Sequence, residues 1–433
     1  MTSRRLALDP NTGVGIARRI AIVLTMLALV LAFVPTARAY TFGSNVKQIG
    51  PEQTVFDWTT QRCDDLNIPD LPVRAFKDST NQVHLTLSHY VNRQMIGPSL
   101  NQLTVNCNIT YSSDSNADPA AYDDQEWIAS PYTFDGKTVY ALIHDEYHGW
   151  DHPGECSSQG HPIRPKLTAI PSGLGAFDPT CWYNAVTLGT STDSGTTYTH
   201  ATPPAHLAAS VPYTYVPNTG PYGYFSPSDI IRGPGGYYYA MLHAETYGVQ
   251  QVGACVMRTK TLSDPTSWRA WDGTGFNVQF IDPYTNPQPP DQHVCAPASF
   301  NQIEKMEESV TYNTFFRKYL LVGATSLYDP GTGQTIYGFY YSTSTDLVNW
   351  SDRQLVMQAV LPWSYQCGDD NPVLYPALLN PTSISPSQTR NFEITGQKTY
   401  LYFTRFNYSD CVQTLDRDLI RIPIQFLAAT TTK

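Results

Sequence analysis

One segment occurs twice, and that repetition restricts the possible folds more than any other feature. Tyr140-Ala-Leu-Ile-His144-Asp-Glu146-Tyr-His148-Gly149 returns as Tyr239-Ala-Met-Leu-His243-Ala-Glu245-Thr-Tyr247-Gly248. Each copy is an apolar run ending in His-x-Glu-x-x-Gly, and a cysteine follows, Cys156 or Cys255. Internal similarity marks a repeat architecture, in which each unit buries its apolar face against the next. Three further segments have the same character. With the two copies the set is Val83–Tyr90, Thr138–Gly149, Gly236–Gly248, Arg317–Tyr328 and Lys398–Tyr408.

A β-rich or aromatic stretch precedes each one: Leu71–Phe76, Trp127–Phe134, Tyr224–Ile231, Ser309–Phe315 and Val373–Leu379. Turn chemistry lies between them, as at Asp78-Ser79, Asp135-Gly136, Gly233-Pro-Gly-Gly236 and Gly396. Helical patterns are scarce, while Tyr, Thr, Pro and Gly are abundant, an all-β signature. A recurrent turn closes a third strand at Ser191–Tyr198, Leu262–Trp268 and Ser344–Trp350. In each, an Asp can accept backbone N–H bonds across the turn while the terminal aromatic packs back between sheets. The units, roughly 69–120, 121–215, 222–295, 303–360 and 368–427, predict one five-bladed β-propeller over residues 40–433. Thr54–Trp58 and Asp418–Phe426 are the candidate strands for closing the ring. The Pro- and Gly-rich stretch from Cys156 to Trp182 reads as a loop insertion.

Residues 1–39 read as a signal peptide: arginines, an apolar run from Ile20 to Val34, then Ala37-Arg38-Ala39. Its removal takes five basic residues and one acidic one, leaving 22 Lys+Arg against 36 Asp+Glu, a net charge of −14. That charge argues against nucleic acid and anionic membranes as partners. The mature chain is expected to be secreted or periplasmic, monomeric and free of the membrane. All eight cysteines lie after residue 39. Spacing favours the pairs Cys63–Cys107, Cys156–Cys181, Cys255–Cys295 and Cys367–Cys411.

The innermost strand of a propeller blade lines the central channel, so the carboxylates that open these strands are the first candidates for chemistry. They are Asp70, Glu126, Asp229, Glu307 and Glu308, and Asp369 and Asp370. Converging carboxylates raise one another's pKa, so that one serves as an acid while another stays ionised. Glycoside hydrolysis needs such a pair.

The Ser344-Thr-Asp346-Leu-Val-Asn-Trp350 turn resembles a blade motif of the five-bladed propeller glycoside hydrolases, the arabinanase/xylosidase and invertase/levansucrase groups. The Ser191–Tyr198 turn resembles the Asp-box of the six-bladed sialidases. The first resemblance implies a base or nucleophile from an Asp opening blade one, which by position is Asp70. It implies a supporting carboxylate in blade two or three, Glu126 or Asp229, and a general acid, Glu126 or Glu308. The surroundings of the first Asp, Pro69-Asp70-Leu-Pro72, depart from the usual signature of that group.

On a strand, His144, Glu146 and His148 share one face, as do His243, Glu245 and Tyr247. They are candidates to hydrogen-bond sugar hydroxyls, with Arg74 and the aromatic Tyr224 as further substrate contacts. The competing reading is a structural motif that anchors the following loop. Tyr147, Trp150, Tyr222, Tyr237 and Trp363 are other candidate stacking platforms. No cofactor is expected and no metal ligand set is assigned, although a structural calcium in the channel stays open. No dinucleotide fingerprint, Walker loop or Gly-x-Ser-x-Gly elbow occurs.

The expectation is an exported enzyme that hydrolyses glycosidic bonds in a polysaccharide or glycoconjugate. One alternative is a polysaccharide lyase, in which His144, His243, Tyr247 and Arg258 would be central. The other is a non-catalytic glycan- or protein-binding propeller.

Overall fold

The computed structural model describes residues 40–156, 178–380 and 390–428. The signal peptide and most of the insertion after Cys156 lie outside the described residues. Among those described, no helix is long and apolar enough to cross a membrane.

The chain forms five strand units in sequence order, and the second and third are joined into one sheet by a parallel pairing of Tyr183 with Tyr222. Blade one runs Ala75–Lys77, Val83–Leu87, Val91–Ser99 and Gln102–Ser112. Blade two is built on Gln125–Thr133, Val139–His148 and Trp182–Ser191, edged by the short strands Thr199–His200 and Leu207–Ala209. In blade three the inner strand is broken into Tyr222–Phe225 and Ile231–Arg232. Both pieces pair with Tyr238–Glu245, and Gly253–Thr259 follows outward. Blade four comprises Ser309–Asn313, Lys318–Asp329, Gln334–Ser344 and Gln354–Gln358. Blade five comprises Val373–Leu379, Lys398–Phe406 and Arg417–Phe426. The N-terminal strands Val46–Gln48 and Gln53–Phe56 both pair with Arg417–Phe426, so the two ends of the chain share the last blade. That is the closure expected from Thr54–Trp58 and Asp418–Phe426.

Apolar clusters between blades show that the units form a ring. Phe76 of blade one packs with Ile128 and Val139 of blade two. Blades two and three share Leu142, Val186, Leu242 and Met257. Met241 and Val256 of blade three meet Val310 and Leu321 of blade four. Val322 and Phe339 of blade four meet Phe403 and Ile422 of blade five. Ala377 and Tyr402 of blade five return to Val83 and Leu85 of blade one. The fold is therefore an all-β propeller whose every blade is flanked on both faces. This explains strands such as Gln125–Thr133 that are buried along their whole length rather than at alternate positions.

The recurrent turns do what their residues predict. Asp346 accepts N–H bonds from Val348 (3.0 Å) and Asn349 (2.8 Å), and Trp350 is buried between blades three and four. Asp193 accepts from the Thr197 amide at 2.9 Å, and Tyr198 packs between blades one and two. Asp264 accepts from the Thr266 amide at 3.0 Å, and Trp268 enters the core of blades two and three.

All four expected disulfides are formed. They close loops of 25 to 44 residues, a length at which a crosslink contributes about 3–4 kcal/mol by restricting the unfolded chain.

Candidate active site

All five blades contribute to one cleft of about 690 Å³. Asp70 enters it from blade one, His144, Glu146 and Trp182 from blade two, and Phe225, His243 and Glu245 from blade three. Lys305, Glu307 and Glu308 enter from blade four, and Trp363 and Tyr375 from blade five.

Asp70 precedes the first inner strand, and its amide is fixed by the Ser88 carbonyl at 2.9 Å. Its carboxylate forms an ion pair with Arg417 of blade five and accepts a hydrogen bond from the Tyr375 hydroxyl at 3.2 Å. His89 Nε2 lies 3.8 Å away. Burial drives the His89 pKa down to about 3, so this ring is neutral beside Asp70. Tyr375 reaches Asp70 because the inner strand of blade five bulges between Leu374 and Ala377. Its φ of +60° is costly for a tyrosine, about 1–3 kcal/mol, and strain of this kind concentrates at functional sites.

Glu308 opens the inner strand of blade four. Its Oε1 accepts the Ala324 amide at 2.7 Å and its Oε2 the Glu307 amide at 3.2 Å. Burial raises its pKa to about 7 against these bonds. Burial, reinforced by the charge of Glu308, pushes Glu307 well above the usual carboxylate range. The two neighbouring carboxyls thus hold at least one proton at neutral pH. Gly323 lies against this site, where an added Cβ would stand 2.3 Å from Glu308 Oε2. Gly323→Ala is therefore expected to displace the Glu308 carboxyl. Activity should fall about tenfold or more, and thermal stability should fall with it, because the added Cβ would also stand 2.8 Å from Cβ of the buried Met306, as steady-state kinetics and a melting curve will show.

The doubled segment brings both copies to the cleft. Glu146 bridges two histidines: His148 Nε2 at 2.8 Å and His144 Nδ1 at 3.5 Å. Burial opposes the charge on His148, but hydrogen bonds to Asp151 and Glu146 carry its pKa up to about 9. His144 is driven down by burial and holds Asn184 at 3.1 Å. In the second copy Glu245 takes His243 Nε2 at 2.9 Å and an ion pair from Lys305. These partners overcome burial and bring Glu245 down to about 2. Phe225 stacks on His243 with centroids 5.1 Å apart and meets Trp182 edge-on at 5.4 Å, forming an apolar wall. Trp363, 54% exposed, also lines the cleft.

Four predicted site residues lie elsewhere. Arg74 is buried behind the cleft, where its Nε faces Asp229 Oδ1 at 3.3 Å and its guanidinium holds the Glu308 carbonyl. Asp229, turned inward by the break in the blade-three strand, also takes the Val310 amide at 2.7 Å. These two residues tie blades one, three and four together rather than lining the cleft. Glu126 is fully buried under blade one, bonded to the Tyr111 hydroxyl and 3.2 Å from His200. Burial leaves it well above the usual range and therefore uncharged. Tyr224 is fully buried in the core between blades two and three, bonded to Gln250 at 2.6 Å, so no sugar can stack on it. The same holds for Tyr147 and Tyr222. Arg417 and Tyr375, which flank Asp70, carry no sequence signal beyond their residue type. Glu307 differs from Glu308 in the sequence only by its place at the strand entry.

Among the described residues one metal-like cluster occurs, Cys156, Asp178 and Cys181, but its two sulfurs are joined in a disulfide and offer no thiolate.

The buried titrating groups set a direction for stability. Glu308, Glu307, Glu126 and Asp145 all have raised folded pKa values, with burial as the largest cause. Each holds its proton longer in the folded state, so its contribution is lost as pH rises through the folded value. His148, about 9 when folded, acts in the same sense between pH 6.5 and 9. Below pH 6.5 the buried neutral rings of His89 and His200, about 3 and 4, act oppositely. The melting temperature is thus expected to decline from pH 7 to pH 9 as His148 loses its proton, the Glu308 contribution being already lost by about pH 7. A flat or rising Tm across that window in calorimetry would contradict these protonation states.

No family model and no curated protein matches the chain. Solved structures do resemble it. The Cellvibrio cellulosa alpha-L-arabinanase is 10% identical with a TM-score of 0.40, over 80% of this chain and 90% of that one. The Bacteroides thetaiotaomicron endo-arabinase is 11% identical with a TM-score of 0.37, over 86% of this chain and 100% of that one. A protein of unknown function from Dyadobacter fermentans is 9% identical with a TM-score of 0.40, over 88% and 100%. At such identities and scores, the chemistry has to be argued from this chain's own residues.

Proposed function

We propose that this protein is a glycoside hydrolase that uses Asp70 and Glu308 as its carboxyl pair. The reading rests on one observation: the two carboxyls line the same cleft in opposite electrostatic settings. Asp70 is ion-paired with Arg417, whereas burial keeps Glu308 protonated up to about pH 7. That contrast fits one carboxylate as base or nucleophile and one carboxylic acid that protonates the leaving oxygen. His144, Glu146, His243 and Glu245 supply alternating donors and acceptors for sugar hydroxyls, and Trp363 and Phe225 supply faces for stacking. Arg74 and Asp229 hold the backbone of Glu308 and Val310 in place from behind.

The lyase alternative is disfavoured by charge. It needs a cation facing a uronate, yet the cleft is lined by Asp70, Glu146, Glu245 and Glu304, together with the Glu307 and Glu308 pair that shares at least one proton. Its Lys305 is already engaged by Glu245, and Arg258 lies outside the cleft. Such a lining favours a neutral sugar over a uronate at the point of cleavage.

The test is release of reducing ends from arabinan, xylan and fructan, chosen from the groups that the Ser344–Trp350 turn resembles. The wild-type chain is expected to cleave at least one of them, and Asp70→Asn is expected to lose about 10³-fold or more. Full activity in Asp70→Asn would remove Asp70 from its role, and binding of glycans without hydrolysis of any would favour the binding-module reading.

A further inference from the structure

Blade three carries a second depression, about 230 Å³, away from the cleft. Arg258, Lys260 and Arg269 line it, with Tyr237 and Phe276. Arg258 pairs in register with Tyr239, while Glu245, six residues along the same strand, borders the cleft. The two sites therefore stand about 20 Å apart along the blade.

Three features set this depression apart. Arg258 is held between two rings, its Cζ 4.1 Å from the centroids of both Tyr237 and Phe276, and Nη1 donates to the Tyr239 hydroxyl at 3.2 Å. Its guanidinium is thus oriented in advance, with donors left over. Arg258 and Arg269 also stand directly opposite each other in adjacent antiparallel strands, an arrangement of like charges that destabilises a sheet. Finally, among the described residues none of the three cations has an acidic partner. The nearby carboxylates are otherwise occupied. Asp264 caps Thr266, and Asp272 is filled by Thr274, Gly275 and Asn277. A chain of net charge −10 thus concentrates three uncompensated cations in one small depression.

We propose that this depression is a second binding site that takes the anionic groups of an acidic polysaccharide, separate from the cleavage cleft. A fixed guanidinium presents parallel N–H donors to a carboxylate or sulfate, and Lys260, its Nζ 4.6 Å from the Tyr237 centroid, adds a point charge beside it. Three cations cover one or two anionic groups. That suits a sugar polymer with spaced charges better than nucleic acid, whose binding draws on many successive phosphates. The site would anchor the enzyme to an acidic glycan while the acidic cleft works on neutral sugars.

Affinity electrophoresis of the full chain tests this, with polygalacturonate, chondroitin sulfate or neutral arabinan in the gel, and a separate run with single-stranded DNA. Retardation by at least one acidic glycan, weakened by salt, is expected. Retardation by polygalacturonate alone identifies carboxylate recognition, and by chondroitin sulfate alone sulfate recognition. Arg258→Gln and the double variant Lys260→Glu/Arg269→Gln are each expected to bind about tenfold more weakly while releasing reducing ends as the wild type does. The double variant leaves the stacked Arg258 intact, so it decides the matter if Arg258→Gln misfolds. The proposal is overturned if neither acidic glycan retards the wild type, if the double variant is retarded as strongly as the wild type, or if DNA alone retards the chain. Because the readout is binding, it stands or falls separately from the hydrolase reading.

Discussion

Glu308→Gln is expected to lower kcat by about 10²–10⁴-fold on a natural glycan, the range that a positioned general acid supplies. The loss should depend on the leaving group. A sugar alkoxide needs a proton as it departs, whereas a nitrophenolate does not, so an aryl glycoside should lose far less. Asp70→Asn, which removes the group on the other side of the bond, should impair both substrates alike. The wild-type pH profile carries the same information. The acid works only while protonated, and burial holds Glu308 near 7, so activity should fall as pH rises through about 7. In Glu308→Gln that alkaline limb should vanish. An equal loss on both substrates, or an unchanged limb, would remove Glu308 from the role of acid and direct attention to Glu307, which burial and the neighbouring Glu308 charge also hold well above the usual carboxylate range.

The fold was legible because a propeller repeats its signals. Five apolar strands with a turn before each, three aromatic-terminated turns and eight cysteines that pair with near neighbours in sequence all point to the same ring, so an error at one blade is corrected by the others. The site has no such redundancy. Asp70, Glu126, Asp229 and Glu308 look equivalent in sequence, each a carboxylate where an inner strand begins. What separates them is burial. Glu126 ends beneath blade one against Tyr111 and His200, and Asp229 ends behind the cleft against Arg74, while Asp70 and Glu308 face it. Tyr224 misleads for a related reason: blades are packed on both faces, so an inner-strand aromatic meets another blade rather than solvent. The partners of Asp70 are hidden more deeply. Arg417 is 347 residues away in the sequence, and Tyr375 depends on a bulge and a left-handed backbone that no local pattern announces.

Asp229→Ala is expected to destabilise the protein by about 3–5 kcal/mol, because it leaves Arg74 buried without its partner. Arg74 is only 3% exposed, so water cannot take over the role of the carboxylate. Replacing both residues with apolar side chains of similar size, Arg74→Met with Asp229→Leu, should recover most of that loss, since a buried ion pair repays little more than its own desolvation. Activity should not recover with it. Arg74 holds the Glu308 carbonyl and Asp229 holds the Val310 amide. The double variant therefore folds with the backbone beside the proposed acid unpinned, and its kcat/KM should stay at least about tenfold down. Urea denaturation and steady-state kinetics on the three proteins separate the two effects. If stability and activity return together, the pair is a structural pin alone. If Asp229→Ala leaves stability unchanged while activity collapses, Asp229 acts on the substrate directly, the supporting role that its position at the head of blade three first suggests.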